Sequence, residues 1–172
     1  MFSHLRKQDG LTFVELILYM GVSSTILLVI VALFAAMLQT QTKQQAIAAV
    51  EIEGNQALQT MATVVRNASS INTPTAGTNG SSLSVNTYNA ATTPTVFDVS
   101  QGVLRMKEGA AAPISLTSSQ TTVKSISFKN LTVTGTPGNI QIVLNLDHVN
   151  PTNNQAFGYP QTYTISASLR QP

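Results

Sequence analysis

An apolar run over residues 11–38 constrains the fold of this chain more than any other feature, and Glu15 is its only charged residue. A helix of about 20 mostly apolar residues is long enough to cross a bilayer. An ordinary secretory signal has an apolar region of only about 7–15 residues and a small-residue cleavage site after it, which this run lacks. The sequence therefore predicts a membrane-spanning helix.

Charged residues on either side of the apolar run predict its orientation. Arg6 and Lys7 lie in the short segment before it, and Lys43 is the first cation after it. Lys and Arg near the ends of a membrane span favour the cytoplasmic side. We therefore expect a single pass through the cytoplasmic (inner) membrane, with the N-terminus inside and the later part of the chain outside.

Glu15 gives the apolar run a more specific interpretation. A carboxylate inside a membrane segment costs a few kcal/mol and usually marks a function. Gly10 precedes the run, and Glu15 is the fifth residue after it. This pattern, a short basic leader that ends in Gly, then Leu11 and an apolar segment with Glu15, resembles the type IV prepilin signal. The family usually has Phe at the position of Leu11.

The resemblance implies both a processing step and a function. It implies that a prepilin peptidase cuts between Gly10 and Leu11 and that the new N-terminus on Leu11 is methylated. Glu15 would then pair with an N-terminal amine in a filament at the cell surface or in the periplasm. The implied partners are the peptidase/methyltransferase, other pilin or pseudopilin subunits and, before assembly, the inner membrane. Looser motifs later in the chain resemble minor pilins of the W type and J-type pseudopilins of type II secretion.

Residues 39–70 are predicted to continue the helix as an amphipathic segment that ends near Ala68. Good helix formers dominate it, and the first proline of the chain is Pro74. Gly54 falls on the apolar stripe, where we expect close packing against a strand; a hinge is the alternative. The stripe follows a period of 3.6 residues, and its other members are Ile47, Val50, Leu58, Met61, Val65 and Ala68.

The C-terminal half has the pattern of a β domain. Residues 71–80 are rich in helix breakers and are predicted to be a linker. Over residues 81–172 apolar and polar residues alternate in short runs separated by turn signals, which is typical of antiparallel strands with one covered face. The predicted fold class is therefore α+β, with an antiparallel sheet packed against the amphipathic half of one long helix.

Composition argues against most kinds of site chemistry. The chain has no cysteine, and His4 and His148 stand alone, so we expect no disulfide, no metal site and no cofactor. Asp98, Glu108 and Asp147 are scattered, and no nucleophile motif accompanies them. The sequence predicts a protein that is not an enzyme.

The net charge of +2 gives no basic footprint for nucleic acid. Nucleic acid stays open as a partner only if the cations of the β domain share one face. These cations are Arg105, Lys107, Lys124 and Lys129.

Three hypotheses about function follow from these patterns. The first is a non-enzymatic filament subunit with leader 1–10, core helix 11–38, helix continuation 39–70, linker 71–80 and extracytoplasmic domain 81–172. The second is an unprocessed single-pass membrane protein whose β domain binds a ligand. The third is a membrane-tethered enzyme, which would need a convergent set of acid and base residues. An intact N-terminus would favour the second hypothesis over the first.

Overall fold

The described part of the chain contains one helix and nine strands. A computed structural model describes residues 12–149 and 158–170. Helix α1 (Phe13–Arg66) contains the apolar run and its amphipathic continuation, and the backbone N–H of Asn67 closes its last turn on the carbonyl of Thr63. Arg66 in the last turn suits the negative end of the helix dipole.

The chain divides into two units, Met1–Thr42 and Lys43–Pro172. In the first unit, residues 12–38, 40 and 41 are exposed, so these described residues form no core. The second unit contains the amphipathic part of α1, all nine strands and the hydrophobic core.

The nine strands form two antiparallel sheets. The first has the order β1-β3-β4-β5-β6, and the second has the order β2-β7-β8-β9. The strands are β1 (Ala68–Thr73), β2 (Asn79–Gly80), β3 (Leu83–Thr87), β4 (Thr95–Ser100), β5 (Val103–Glu108), β6 (Ile114–Ser115), β7 (Thr121–Asn130), β8 (Asn139–His148) and β9 (Gln161–Ser168).

The apolar stripe of α1 is buried against both sheets. Val50, Met61 and Val65 have no exposed surface, and Leu58 has almost none. The buried faces of the strands alternate with more exposed residues, most regularly in β8. The predicted α+β class is therefore confirmed. Further members of the core are Leu83, Val85, Phe97, Leu104, Phe128, Ile140, Ile142, Leu144 and Leu146.

Close packing at Gly54 is also confirmed. A Cβ atom built on Gly54 would lie 2.5 Å from Cε2 and 2.7 Å from Cζ of Tyr163 in β9. The Tyr163 hydroxyl donates a hydrogen bond of 3.2 Å to the carbonyl of Val50, one turn earlier. Only glycine leaves room for an aromatic ring against the helix backbone at this point.

The stretch predicted as the end of the helix and a linker is different in the structure. The helix ends at Arg66 rather than near Ala68, and β1 and β2 occupy part of residues 68–80. The pairing of β1 with β3 has two register irregularities, between Ala68 and Ser70 and between Ile71 and Thr73. These irregularities break the alternation of apolar and polar residues, so the sequence gives no period-two signal there.

Candidate functional site

The candidate site lies at the start of α1, and the structure describes only some of the residues predicted for it. Arg6, Lys7, Gly10 and Leu11 lie outside the described residues. Glu15 is described, and it lies in the first turn of α1.

Thr12 caps the N-terminus of the helix. Its Oγ1 accepts a hydrogen bond of 3.3 Å from the backbone N–H of Glu15, and its carbonyl accepts one of 3.1 Å from the N–H of Leu16. A threonine three residues before a glutamate is the spacing of a capping box. The capping role of Thr12 was not predicted, although its spacing from Glu15 is visible in the sequence.

The carboxylate of Glu15 has one weak partner among the described residues. Its Oε1 accepts a hydrogen bond from the Tyr19 hydroxyl at 3.4 Å, close to the limit for such a bond. The residues described from Thr12 to Thr42 contain no cation. The capping bond uses the backbone N–H of Glu15 rather than its side chain, so capping does not satisfy this carboxylate.

The helix after Glu15 presents apolar side chains to its surroundings on every side. All the residues over 12–38 are exposed, including Leu28 at 71% and Phe34 at 64%. This helix, near the N-terminus, is long and apolar enough to cross a membrane. A helix that is apolar all round requires either lipid or protein around it.

Hydroxyl groups in this apolar segment bond to the helix itself. Ser24 and Thr25 both donate to the carbonyl of Gly21, at 3.0 and 2.9 Å, and Thr40 donates to Ala36 at 3.1 Å. Such bonds to the preceding turn satisfy hydroxyls where water is absent. The hydroxyls of Ser24 and Thr25 therefore lie at low cost in a hydrocarbon environment.

The cations of the β domain do not form one basic surface. Arg105 makes a bidentate ion pair with Asp98 across β4 and β5, with bonds of 3.0 and 2.8 Å. Lys124 lies 3.6 Å from Asp147, whose other oxygen accepts from the backbone N–H of Tyr159. Arg105 and Lys107 belong to the first sheet, and the remaining two belong to the second.

The described part of the β domain has open clefts, and one of them is lined by both Asp98 and Lys124, which form ion pairs with Arg105 and Asp147. An open cleft of about 450 Å³ lies between β1, the 131–138 loop and the end of the chain, and its titratable residues are Tyr88 and Arg170. His148 Nδ1 is buried without a hydrogen-bond partner among the described residues, and His148 lies opposite Thr121 in the sheet. No group of His, Asp and Glu among the residues described could hold a metal ion.

Glu53 ties the helix to the start of β7. Its Oε2 accepts from the backbone N–H of Ser118 at 3.0 Å and from the Thr121 hydroxyl. Burial raises the pKa of Glu53, but these hydrogen bonds outweigh burial and lower the pKa below its ordinary value of 4.5. The sequence carries no local signal for this contact, because Ser118 lies 65 positions away along the chain.

Asn130 is a second polar anchor that the sequence pattern missed. It is 3% exposed, and its Nδ2 donates to the carbonyl of Pro74 at 2.7 Å. Its Oδ1 accepts from the N–H of Thr132, and its backbone pairs with Gly77 and Thr78. Asn130 therefore holds the turn between β1 and β2 against the end of β7.

Comparison of the chain with family models, curated proteins and solved structures found no significant match.

Proposed function

We propose that this protein is a non-enzymatic subunit, of the minor kind, of a type IV pilus or a related pseudopilus. In this proposal a prepilin peptidase removes residues 1–10 and the amine of Leu11 is methylated. The helix then passes from the inner membrane into the filament, and the β domain faces water. The proposed cleavage and methylation rest on the sequence resemblance over residues 6–16.

The observation that carries the proposal is the exposed apolar surface of residues 12–38. Burying such a surface is favourable by roughly 25 cal/mol per Å² removed from water. Lipid can cover it in the membrane, and the same helices of neighbouring subunits can cover it in a filament.

The environment of Glu15 supports a role in assembly. Its carboxylate lies on an apolar helix and has only a long hydrogen bond from Tyr19. An unpaired charge in a low-dielectric interior is costly, whereas a charge pair there is strongly attractive. The amine that cleavage would create on Leu11, on the same or a neighbouring subunit, is a partner of the required sign.

The proposed orientation rests on the cations at the two ends of the helix. Arg6 and Lys7 before the span would stay in the cytoplasm, and the unit from Lys43 onward would be outside. A β domain without cysteine suits this location because its stability rests on the core rather than on disulfides.

Two single substitutions separate the charge of Glu15 from the capping of the helix. Glu15→Gln removes the charge and keeps the shape, whereas Thr12→Ala removes the side-chain cap and keeps the charge. Each variant is produced with a prepilin peptidase and an assembly system, and both processed protein and sheared filaments are quantified. We expect both variants to be processed, Glu15→Gln to lose at least tenfold in filament incorporation, and Thr12→Ala to assemble within about twofold of the parent protein.

Filaments of normal yield from Glu15→Gln would contradict the proposed charge pairing. An uncut chain in both variants and in the parent, with an active peptidase on a control prepilin, would favour an unprocessed membrane protein with a ligand-binding β domain.

A further inference from the structure

Strand β9 is the one long, regular sheet edge in the described part of the molecule. The four edge strands of the two sheets are β1, β6, β2 and β9. Strands β2 and β6 have two residues each, and β1 has two register irregularities. Short length and bulges are devices by which proteins protect sheet edges from further pairing.

Strand β9 has none of these devices. It spans eight residues, pairs with β8 without a register shift, and contains no charged residue and no proline. No described residue forms a backbone hydrogen bond with its outer edge. Its Thr, Tyr and Ile residues favour extended structure. The open edge therefore offers unpaired N–H and C=O groups to another strand.

An acidic side chain lies near the start of β9. Burial, the carboxylate of Glu51 and the hydroxyl of Tyr159 raise the pKa of Tyr163, the third residue of the strand. Glu53 bonds Thr121 at the start of β7. Residues 51 and 53 differ by about 200° around the helix axis, so exposed Glu51 projects from the side of α1 opposite to Glu53.

Two basic residues lie near the end of β9. The backbone N–H of Arg170 donates a hydrogen bond of 3.0 Å to the carbonyl of Arg66, which joins the end of the strand to the end of α1. Both arginines are exposed, and neither forms an ion pair with another described residue. The open edge thus runs from an acidic end to a basic end.

We propose that β9 pairs with β9 of a second copy of this chain, antiparallel, to form one sheet across two protomers. In this arrangement Glu51 of each protomer lies beside the arginines of the other, twice by symmetry. Parallel pairing would bring the like charges together, and like charges across an interface are costly. The strand itself carries no charge that would oppose self-pairing.

The contact belongs to the unit Lys43–Pro172 and does not depend on cleavage at Gly10 or on the role of Glu15. A failure of the proposed filament function therefore leaves this inference intact, and the reverse also holds.

The absence of native cysteine makes disulfide mapping of the contact clean. Four residues on the exposed face of β9 are replaced singly by cysteine, and full-length variants carrying two different tags are mixed in all pairs in vesicles and oxidised. Opposed residues in antiparallel strands lie about 4.5–5.5 Å apart between Cα atoms, within disulfide range. The positions are Thr162, Thr164, Ser166 and Ser168.

We expect the strongest disulfides to join a position early in β9 of one protomer to a position late in β9 of the other, for example Thr162→Cys to Ser168→Cys. In every strong pair, the two residue numbers should add up to nearly the same value. Adding Thr164→Lys and Ser166→Lys should lower this yield at least fivefold, whereas Ser125→Lys on β7, also exposed, should leave it unchanged. Strongest disulfides between identical positions along the whole strand would show parallel pairing and overturn the proposal. Yields no higher than those of Ser125→Cys would overturn it as well.

Discussion

Tyr163 fits against the helix backbone only because residue 54 has no side chain. Ala has a higher helix propensity than Gly by up to about 1 kcal/mol, so Gly54→Ala would stabilise an isolated helix. Here the new Cβ would lie 2.5 Å from the Tyr163 ring, and overpacking typically costs about 1–3 kcal/mol. We expect Gly54→Ala to lower the free energy of unfolding of the β unit by about 1–2 kcal/mol.

Denaturant titration of the tyrosine near-ultraviolet signal measures this effect. Gln59→Ala, at an exposed position of the same helix, is the control and should change the free energy by less than about 0.5 kcal/mol. A Gly54→Ala protein as stable as the parent would mean that the ring does not pack against the helix as described.

Glu53 makes the same unit sensitive to acid. Its pKa is lower in the folded protein than its ordinary value of 4.5, because hydrogen bonds from Ser118 and Thr121 stabilise the carboxylate. As the pH falls, the unfolded chain takes up the proton first. The stabilisation is therefore complete above the ordinary pKa and is lost as the pH falls through the folded-state pKa.

Glu53→Gln should be less stable than the parent by about 1 kcal/mol at pH 7, and this difference should shrink below about pH 4.5. Free energies of unfolding between pH 3 and 7 test this, with Glu108→Gln as the charge-matched control. A difference that stays constant over the whole range would show that the charge of Glu53 does not carry the effect.

At the scale of elements, the strands that the sequence predicted are those with an apolar face. The sequence alternates over residues 83–88, 95–99, 103–107, 122–129, 139–147 and 162–170. Strands β3, β4, β5, β7, β8 and β9 begin and end within about two residues of these runs. Strands β2 and β6 are too short to show a period, and the irregular register of β1 hides one. Division of the strands into two sheets depends on pairing between distant residues, which no local pattern encodes.

The turn between β1 and β2 depends on one such distant residue. Asn130→Ala would leave the carbonyl of Pro74 and the N–H of Thr132 without their partner, and each such loss costs about 1–3 kcal/mol when the group is buried. We expect faster hydrogen exchange at Gly77 and a loss of stability of about 2 kcal/mol.

Asn79→Ala is the matched control, since Asn79 lies at an exposed position of β2 in the same region. Unchanged exchange at Gly77 in Asn130→Ala would mean that the backbone bonds between Gly77, Thr78 and Asn130 hold the turn without the side chain.

At the scale of the whole molecule, the α+β class could be predicted because the two features that define it are visible in continuous stretches of the sequence. The apolar run marks the first part of α1, and the switch from a period of 3.6 to a period of two marks the start of the sheets. The anchors Glu53 and Asn130 were not predictable, because the partners Ser118, Thr121 and Pro74 lie 56 or more positions away from them along the chain.

The candidate site was predictable only in part. Glu15 was singled out because a carboxylate is rare in an apolar run, and the structure adds that its side chain has one weak partner among the described residues. Thr12 was missed, although its spacing from Glu15 is a recognised capping signal. Gly10 and Leu11 lie outside the described residues.

The most direct test of the account is the intact mass of the membrane-extracted protein, made with and without a co-expressed prepilin peptidase. We predict that the peptidase removes the mass of residues 1–10 and that one methyl group is added at Leu11. An unprocessed mass in both samples, with the peptidase cutting a control prepilin, would contradict the filament-subunit account.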